Sequence, residues 1–334
     1  MSFDFDAAVQ APHRMQPGLR RLAPGAQQLS PSVAPQRGVA RHLREKLAVL
    51  WAFPEQALLC APGFNALPAL AALAAFAAAE HPQAFVVDGE RWHAPWLGWA
   101  LDANLQPQET ASGWPEIGTL LRRLPPCWRR TALLSLAFEE DFAILDAGTG
   151  SLPWLAVALP SMWAPEAKIG RSFAEVHAPV ADSQLIQGAA PQLLQLVTQG
   201  GRWERFVWTL SPHPRLHAHP QRVDPARWPA GLDDDALAAQ TWWRSERQTF
   251  IPVPPADSAA EAACPAGRQA VFTINVQVTP LVSALRGPAQ AAQVHAALLS
   301  MSDAVLAYRG LGSARPPLLR WLARQAGASL ARPA

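Results

Sequence analysis

The spacing of apolar and polar positions divides the chain into helical ends and a strand-rich centre. Residues 1–40 are broken by prolines and by "QPG" and "APG" turns, and predict an irregular arm. "VARHLREKLAVLWAF" (39–53) follows as a helix, and the apolar run at 66–80 as a second, buried one. "QAFVVDG" predicts a short strand, "ERWHAPWLGWALDAN" a tryptophan-rich loop, and 116–124 another helix.

In the centre the period changes. "FAILDAGTGSLPWLAVALPSMW" is strand, glycine turn and strand, the pattern of a hairpin. "ERFVWTLSP" and "QAVFTINVQVTPL" are further strands. The latter sets Val271, Thr273, Asn275 and Gln277 on one face and Phe272, Ile274, Val276 and Val278 on the other, so one face is apolar. Between them "DDDALAAQTWWRSERQTF" predicts a helix capped by the aspartates at 233–235. Helices at 289–308 and 315–329 end the chain. "PVPPADSAAEAACPAG" (252–267) predicts a surface insertion. The fold class expected is α+β: a mostly antiparallel sheet flanked by N- and C-terminal helices, with residues 41–334 as one domain after the arm.

Composition narrows the function. Of 334 residues 50% are hydrophobic and 16% charged, so the chain can bury a large core. The net charge is +2 and like charges do not cluster in long blocks, which argues against a nucleic-acid partner. Cys60, Cys127 and Cys264 form no CxxC spacing and fit a reducing cytoplasm. The N-terminus lacks the basic-then-apolar order of a signal peptide, and the longest apolar run is too short to span a membrane. Nucleotide, hydrolase and zincin motifs (GxGxxG after a strand, GxxxxGK[ST], GxSxG, HExxH) are not found. Redox work would therefore need an outside electron donor.

Three stretches carry candidate chemistry. In "PSMWAPEAKIGRSFAEVHAPV", Phe173, Val176 and His177 share one helical face before Pro179. The ordinary reading is a satisfied core histidine, and the functional one is an axial ligand to haem iron in an apolar slot. Spacing leaves both open. On a helix, "WWRSERQTF" would place Trp243, Arg247 and Phe250 near one stripe and Arg244, Arg247 and Gln248 on a polar side, with Glu246 one turn from two tryptophans. This is either a charged surface face, or a pair of arginines for an anion beside a carboxyl suited to proton transfer. In "SPHPRLHAHP", prolines prevent a helical pairing of His213 with His217, and these with His219 read as loop histidines rather than metal ligands.

The blocks "EEDFAIL", "PSMWAPEAKIGRSFAEVHAPV", "RFVW", "WWRSERQTF", "VFTINVQVTPL" and "AYRGL", with "PGLRRL" and "VARHLREKLAVL" before them, resemble in order and spacing the haem-dependent oxidative N-demethylase alpha-subunit family. The most specific block is W-x-P-x-x-K-x-G-x-x-F-x-x-[IV]-H-x-P-V. The resemblance implies a PAS-like core at about 130–285 that holds haem b and oxidises an N-methyl group of a small amine. It implies electrons from a partner reductase with FMN and a [2Fe-2S] cluster, and a folate-binding subunit for the one-carbon product. It makes His177 the iron ligand, and Lys168, Arg171, Arg205, Arg244 and Arg247 candidates to hold propionates or polarise oxygen, with Trp208 beside the cofactor and Glu246 and Arg205 as catalytic candidates. The chain departs from the family pattern: Val207 stands where an asparagine is usual, Asn275 and Gln277 where an arginine and a tyrosine are, and "FIPVP" after "ERQT" where Leu-x-Arg-Leu-Pro is usual. A non-catalytic haem or small-molecule sensor, or a haem-free accessory protein, is the competing expectation.

Overall fold

The computed structural model describes residues 3–111, 113–254 and 269–327. Its frame is a seven-stranded antiparallel sheet in the order Arg20–Arg21, Trp203–Ser211, Trp242–Pro252, Gln269–Pro280, Asp141–Asp146, Ser151–Ala156, Leu58–Cys60. Alternation drives this: successive side chains on the three long strands go to opposite faces, and both faces bury them. The hairpin at 141–156 forms as the sequence predicts, with the Asp146 carboxylate accepting the Gly148 N–H at 2.8 Å inside the turn.

"WWRSERQTF" is the principal correction. It is a strand, Trp242–Pro252, and only Asp234–Ala239 of the expected helix forms, capped by Asp233 as predicted. Pairing along both edges, from Trp203↔Phe250 to Ser211↔Trp242 on one side and from Trp242↔Pro280 to Pro252↔Ala270 on the other, overrides the local helical spacing. The helical stripe proposed for Trp243, Arg247 and Phe250 therefore does not exist. Arg244 and Arg247 lie on opposite faces.

Three smaller expectations also change. The tryptophan-rich "loop" is a second, four-stranded sheet, Val86–Asp88, Arg91–Ala94, Trp99–Leu101 and Pro107–Glu109. The helix expected at 289–308 is two, Pro288–Leu299 and Asp303–Tyr308, because the Ser302 hydroxyl caps a new start by accepting the Val305 N–H. The last helix is Arg315–Gln325. The 252–267 insertion lies almost wholly outside the described residues. Pro126–Ala137 is a helix whose last seven residues are all buried, so it carries no amphipathic signature. No helix among the described residues is long and apolar enough to cross a membrane.

On one face of the sheet the Arg41–Ala52 helix delivers Lys46, which is fully buried. Its ammonium donates to the carbonyls of Ser135, Phe138 and Glu140 and sits 3.2 Å from Asp141 Oδ1. Asn275 Nδ2 donates to Glu140 at 2.7 Å, and Gln277 Nε2 donates to Asn275 at 2.7 Å and to Glu139 at 3.3 Å. Burial pushes the Glu140 carboxyl up to about 7, against the opposing bonds from Ser30 and Asn275.

Two outcomes follow for stability. Lys46→Met leaves Asp141 buried without its cation, and the urea midpoint should fall by the equivalent of roughly 3–5 kcal/mol at unchanged m. Glu140 has its folded pKa raised, so the stability it contributes is complete below about pH 4.5 and is lost as pH rises through about 7. Glu140→Gln should flatten that part of the stability–pH curve.

Candidate functional site

The opposite face of the sheet borders a cavity of about 240 Å³. The same alternation that buries Arg247 and Thr249 on the Lys46 side turns Arg244, Glu246, Gln248 and Phe250 into this cavity. Across the ladder, Arg205 opposes Gln248, Val207 opposes Glu246 and Thr209 opposes Arg244, so their side chains share the cavity face. Phe272, Ile274, Ala143 and Leu145 extend it as an apolar floor. The roof is the segment from Trp163 to Val197, and the N-terminal arm closes one side with Met15, Pro17 and Leu19.

His177 ends the short helix Phe173–His177. The helix starts with a capping box, in which the Ser172 hydroxyl accepts the Glu175 N–H and Glu175 Oε2 accepts the Ser172 N–H. His177 Nδ1 lies 2.8 Å from the Phe173 carbonyl, to which only a protonated Nδ1 can donate. Its Nε2 consequently carries the lone pair and makes no hydrogen bond among the described residues. Burial, reinforced by the charges of Arg205 and Lys168 and opposed by the Phe173 carbonyl, pushes the imidazole down to about 4. Lys168 Nζ donates to the Val176 carbonyl at 2.7 Å and lies 5.6 Å over the Trp163 ring, tying down the residue that precedes His177. Burial also lowers the Lys168 pKa.

The cations differ in what they do. Arg244, 1% exposed, donates to Ser161 Oγ at 2.9 Å and to the carbonyls of Arg215, Pro160 and Leu216, and so pins two loops at the cavity wall. Arg205 makes no hydrogen bond or ion pair among the described residues, and its Nε is buried without a partner. Burial lowers its pKa, against the attraction of Glu246. Glu246 is 9% exposed and accepts from Gln248 Nε2 at 2.5 Å. Trp208 reaches the cavity at the sheet edge, where its indole N–H donates to the Ala8 carbonyl at 3.1 Å and its ring stacks on Trp243 at 4.8 Å.

Of the eight site residues expected from sequence, the cavity brings together His177, Lys168, Arg205, Trp208, Arg244 and Glu246. Two lie elsewhere. Arg171 is an exposed partner of Glu175 at 3.7 Å, and Arg247 is on the other face, donating to Glu204 at 2.9 Å and to the Gln27 carbonyl. Away from the cavity, His219 Nε2 is 3.0 Å from Glu166, an acidic partner not anticipated from sequence, and its ring stacks near His217 at 6.1 Å. Arg309 and Tyr308, from "AYRGL", also line the cavity and were not foreseen as site residues. The available signal was an arginine directly before a glycine at a helix end.

The sequence model of the family described as haem-dependent oxidative N-demethylase, alpha subunit-like, matches residues 41–319. The chain belongs to that family. The match agrees with the motif blocks in the sequence, and the family name carries three coarse statements: an enzyme subunit, haem dependence, and membership of a complex with more than one kind of subunit. The cavity also sorts the departures from the family pattern. Asn275 and Gln277 are both on the Lys46 face, bonded to Glu140 and Glu139, whereas Val207, directly across from Glu246, and Phe250 of "FIPVP" border the cavity.

Three histidines, His177, His13 and His213, are each pushed down to about 4 chiefly by burial. A histidine whose folded pKa is lowered is protonated first in the unfolded chain, so stability should fall as pH drops from about 6.5 towards 4. An NMR titration of the folded protein should find His177 neutral above about pH 5. A midpoint near 6.5 would contradict the buried geometry.

Proposed function

We propose that this cavity holds haem b with His177 Nε2 as the iron ligand, within a PAS-like core of a single domain from residue 41 onward. The protein then works in the cytoplasm as the oxidising subunit for a small methylated amine. The observation that supports this most directly is the Nδ1–H to Phe173 carbonyl bond, which leaves a neutral imidazole with one free nitrogen at an apolar cavity. The residues present suit haem in three respects. They offer an apolar floor, an uncharged nitrogen donor, and the Arg205 guanidinium, which forms no ion pair among the described residues and suits an anionic edge.

When bound, haem supplies oxygen activation and one-electron chemistry. The chain's residues do the rest. Lys168 fixes the carbonyl before His177 and thereby the height of the imidazole. Glu246, the one carboxylate lining the cavity among the described residues, attracts an alkylammonium and can take its proton at Oε1, while Gln248 holds Oε2. Phe250, Phe272 and Leu145 exclude water. Electrons come from a partner reductase carrying FMN and a [2Fe-2S] cluster, and a folate-binding subunit receives the one-carbon product.

Purified protein expressed with haem should show a Soret band at one haem per chain, lost or displaced in His177→Ala. A colourless wild-type protein would overturn the reading. In haem-loaded protein, Glu246→Gln should weaken dimethylammonium binding about tenfold or more, since a charged hydrogen bond contributes roughly 1.5–3 kcal/mol.

A further inference from the structure

Arg309 is a buried charge without a counter-ion among the described residues. It is 7% exposed, lines the cavity, and its Nη1 is buried with no hydrogen-bond partner. Its Nη2 donates to the Met15 sulfur at 3.7 Å, a weak acceptor. The guanidinium lies 5.8 Å over the Trp208 ring, and burial pushes its pKa down to about 10. No carboxylate pairs with it among the described residues. Removing a cation from water in this way costs several kcal/mol by the usual magnitudes, and only an anion, or full hydrogen bonding, offsets that.

The surrounding fold fixes Arg309 in place. The Asp303–Tyr308 helix closes with the Arg309 N–H donating to Val305, the Gly310 N–H to Ala307 and the Leu311 N–H to Leu306, a tight left-handed ending with Gly310 at φ +66°. A Cβ at Gly310 would come within 2.6 Å of the Pro225 backbone, and the Trp228 indole donates to the Gly310 carbonyl at 2.6 Å. The residue before this glycine is therefore held against the cavity wall by rigid backbone. The second unpaired guanidinium, Arg205, borders the same cavity.

We infer that Arg309 forms a carboxylate-binding subsite of this cavity, whose lining also includes Arg205. Planar guanidinium groups match a carboxylate's geometry, and the nearby Glu246 disfavours a more highly charged anion such as phosphate. The shared chemistry has two sources: a haem propionate, or the carboxylate of an N-methyl amino acid whose ammonium end meets Glu246. The second would set the substrate class as zwitterionic methylated amines. The inference rests on the cavity being the ligand site proposed above.

The probe is propionate against propionamide at constant ionic strength, read by thermal melting of the haem-free wild-type chain. Propionate should raise the melting temperature and propionamide should not. The apparent propionate Kd should rise at least tenfold in Arg309→Gln and be partly restored in Arg309→Lys. Identical responses to the two probes in wild type would overturn the subsite even where a variant does not fold, and so would wild-type titration by a folded Arg309→Gln. Haem loading separates the sources. If the propionate response vanishes in the haem protein, the subsite holds the cofactor's carboxylate. If it persists, and N-methylglycine perturbs the Soret band more strongly than dimethylamine does, it holds a substrate's. A wild-type protein that takes up no haem but still responds to propionate alone would refute the haem reading and keep the subsite.

Discussion

Pairing on both edges of the Trp242–Pro252 strand is the constraint on which the site depends. A strand held by neighbours along its whole length cannot roll, so the period of two becomes a strict partition. Arg244, Glu246 and Gln248 go to the cavity, and Ser245, Arg247 and Thr249 to the opposite side. A shift of one residue would exchange the two sets, taking Glu246 and Arg244 away from the cavity and turning Arg247 towards it.

The two faces handle buried charge in opposite ways. On one, Lys46 has three carbonyls and Asp141 around it, and Asn275 and Gln277 complete a bonded network with Glu139 and Glu140. Groups bonded to one another in this way hold a fold in one arrangement. On the other, Arg205 and Arg309 keep unpaired nitrogens and His177 keeps a free one. Unsaturated groups are poor cement and good receptors.

Much of this was legible in the residues themselves. The hairpin turn at Asp146–Gly150, the aspartate cap at 233 and the apolar face of the last long strand follow from local chemistry, and the histidine block gave a face that the helix does adopt. The reversal of "WWRSERQTF" was not legible, because its residues accept either period and only two distant partners decide between them. Arg171 and Arg247 illustrate the same limit: a charge near a motif in sequence has no face until its element is known. Arg309 was hidden for a different reason, since its unpaired state is a property of the packing around it.

The wall of the cavity also fixes when it can come into being. Met15 on the arm meets Arg309 across 294 residues, and the Ala8 carbonyl receives the indole of Trp208. A nascent chain therefore has no enclosed cavity until its C-terminal helices have emerged from the ribosome. A fragment ending before residue 309 has the sheet, the roof and the arm, but lacks the wall that Tyr308 and Arg309 supply.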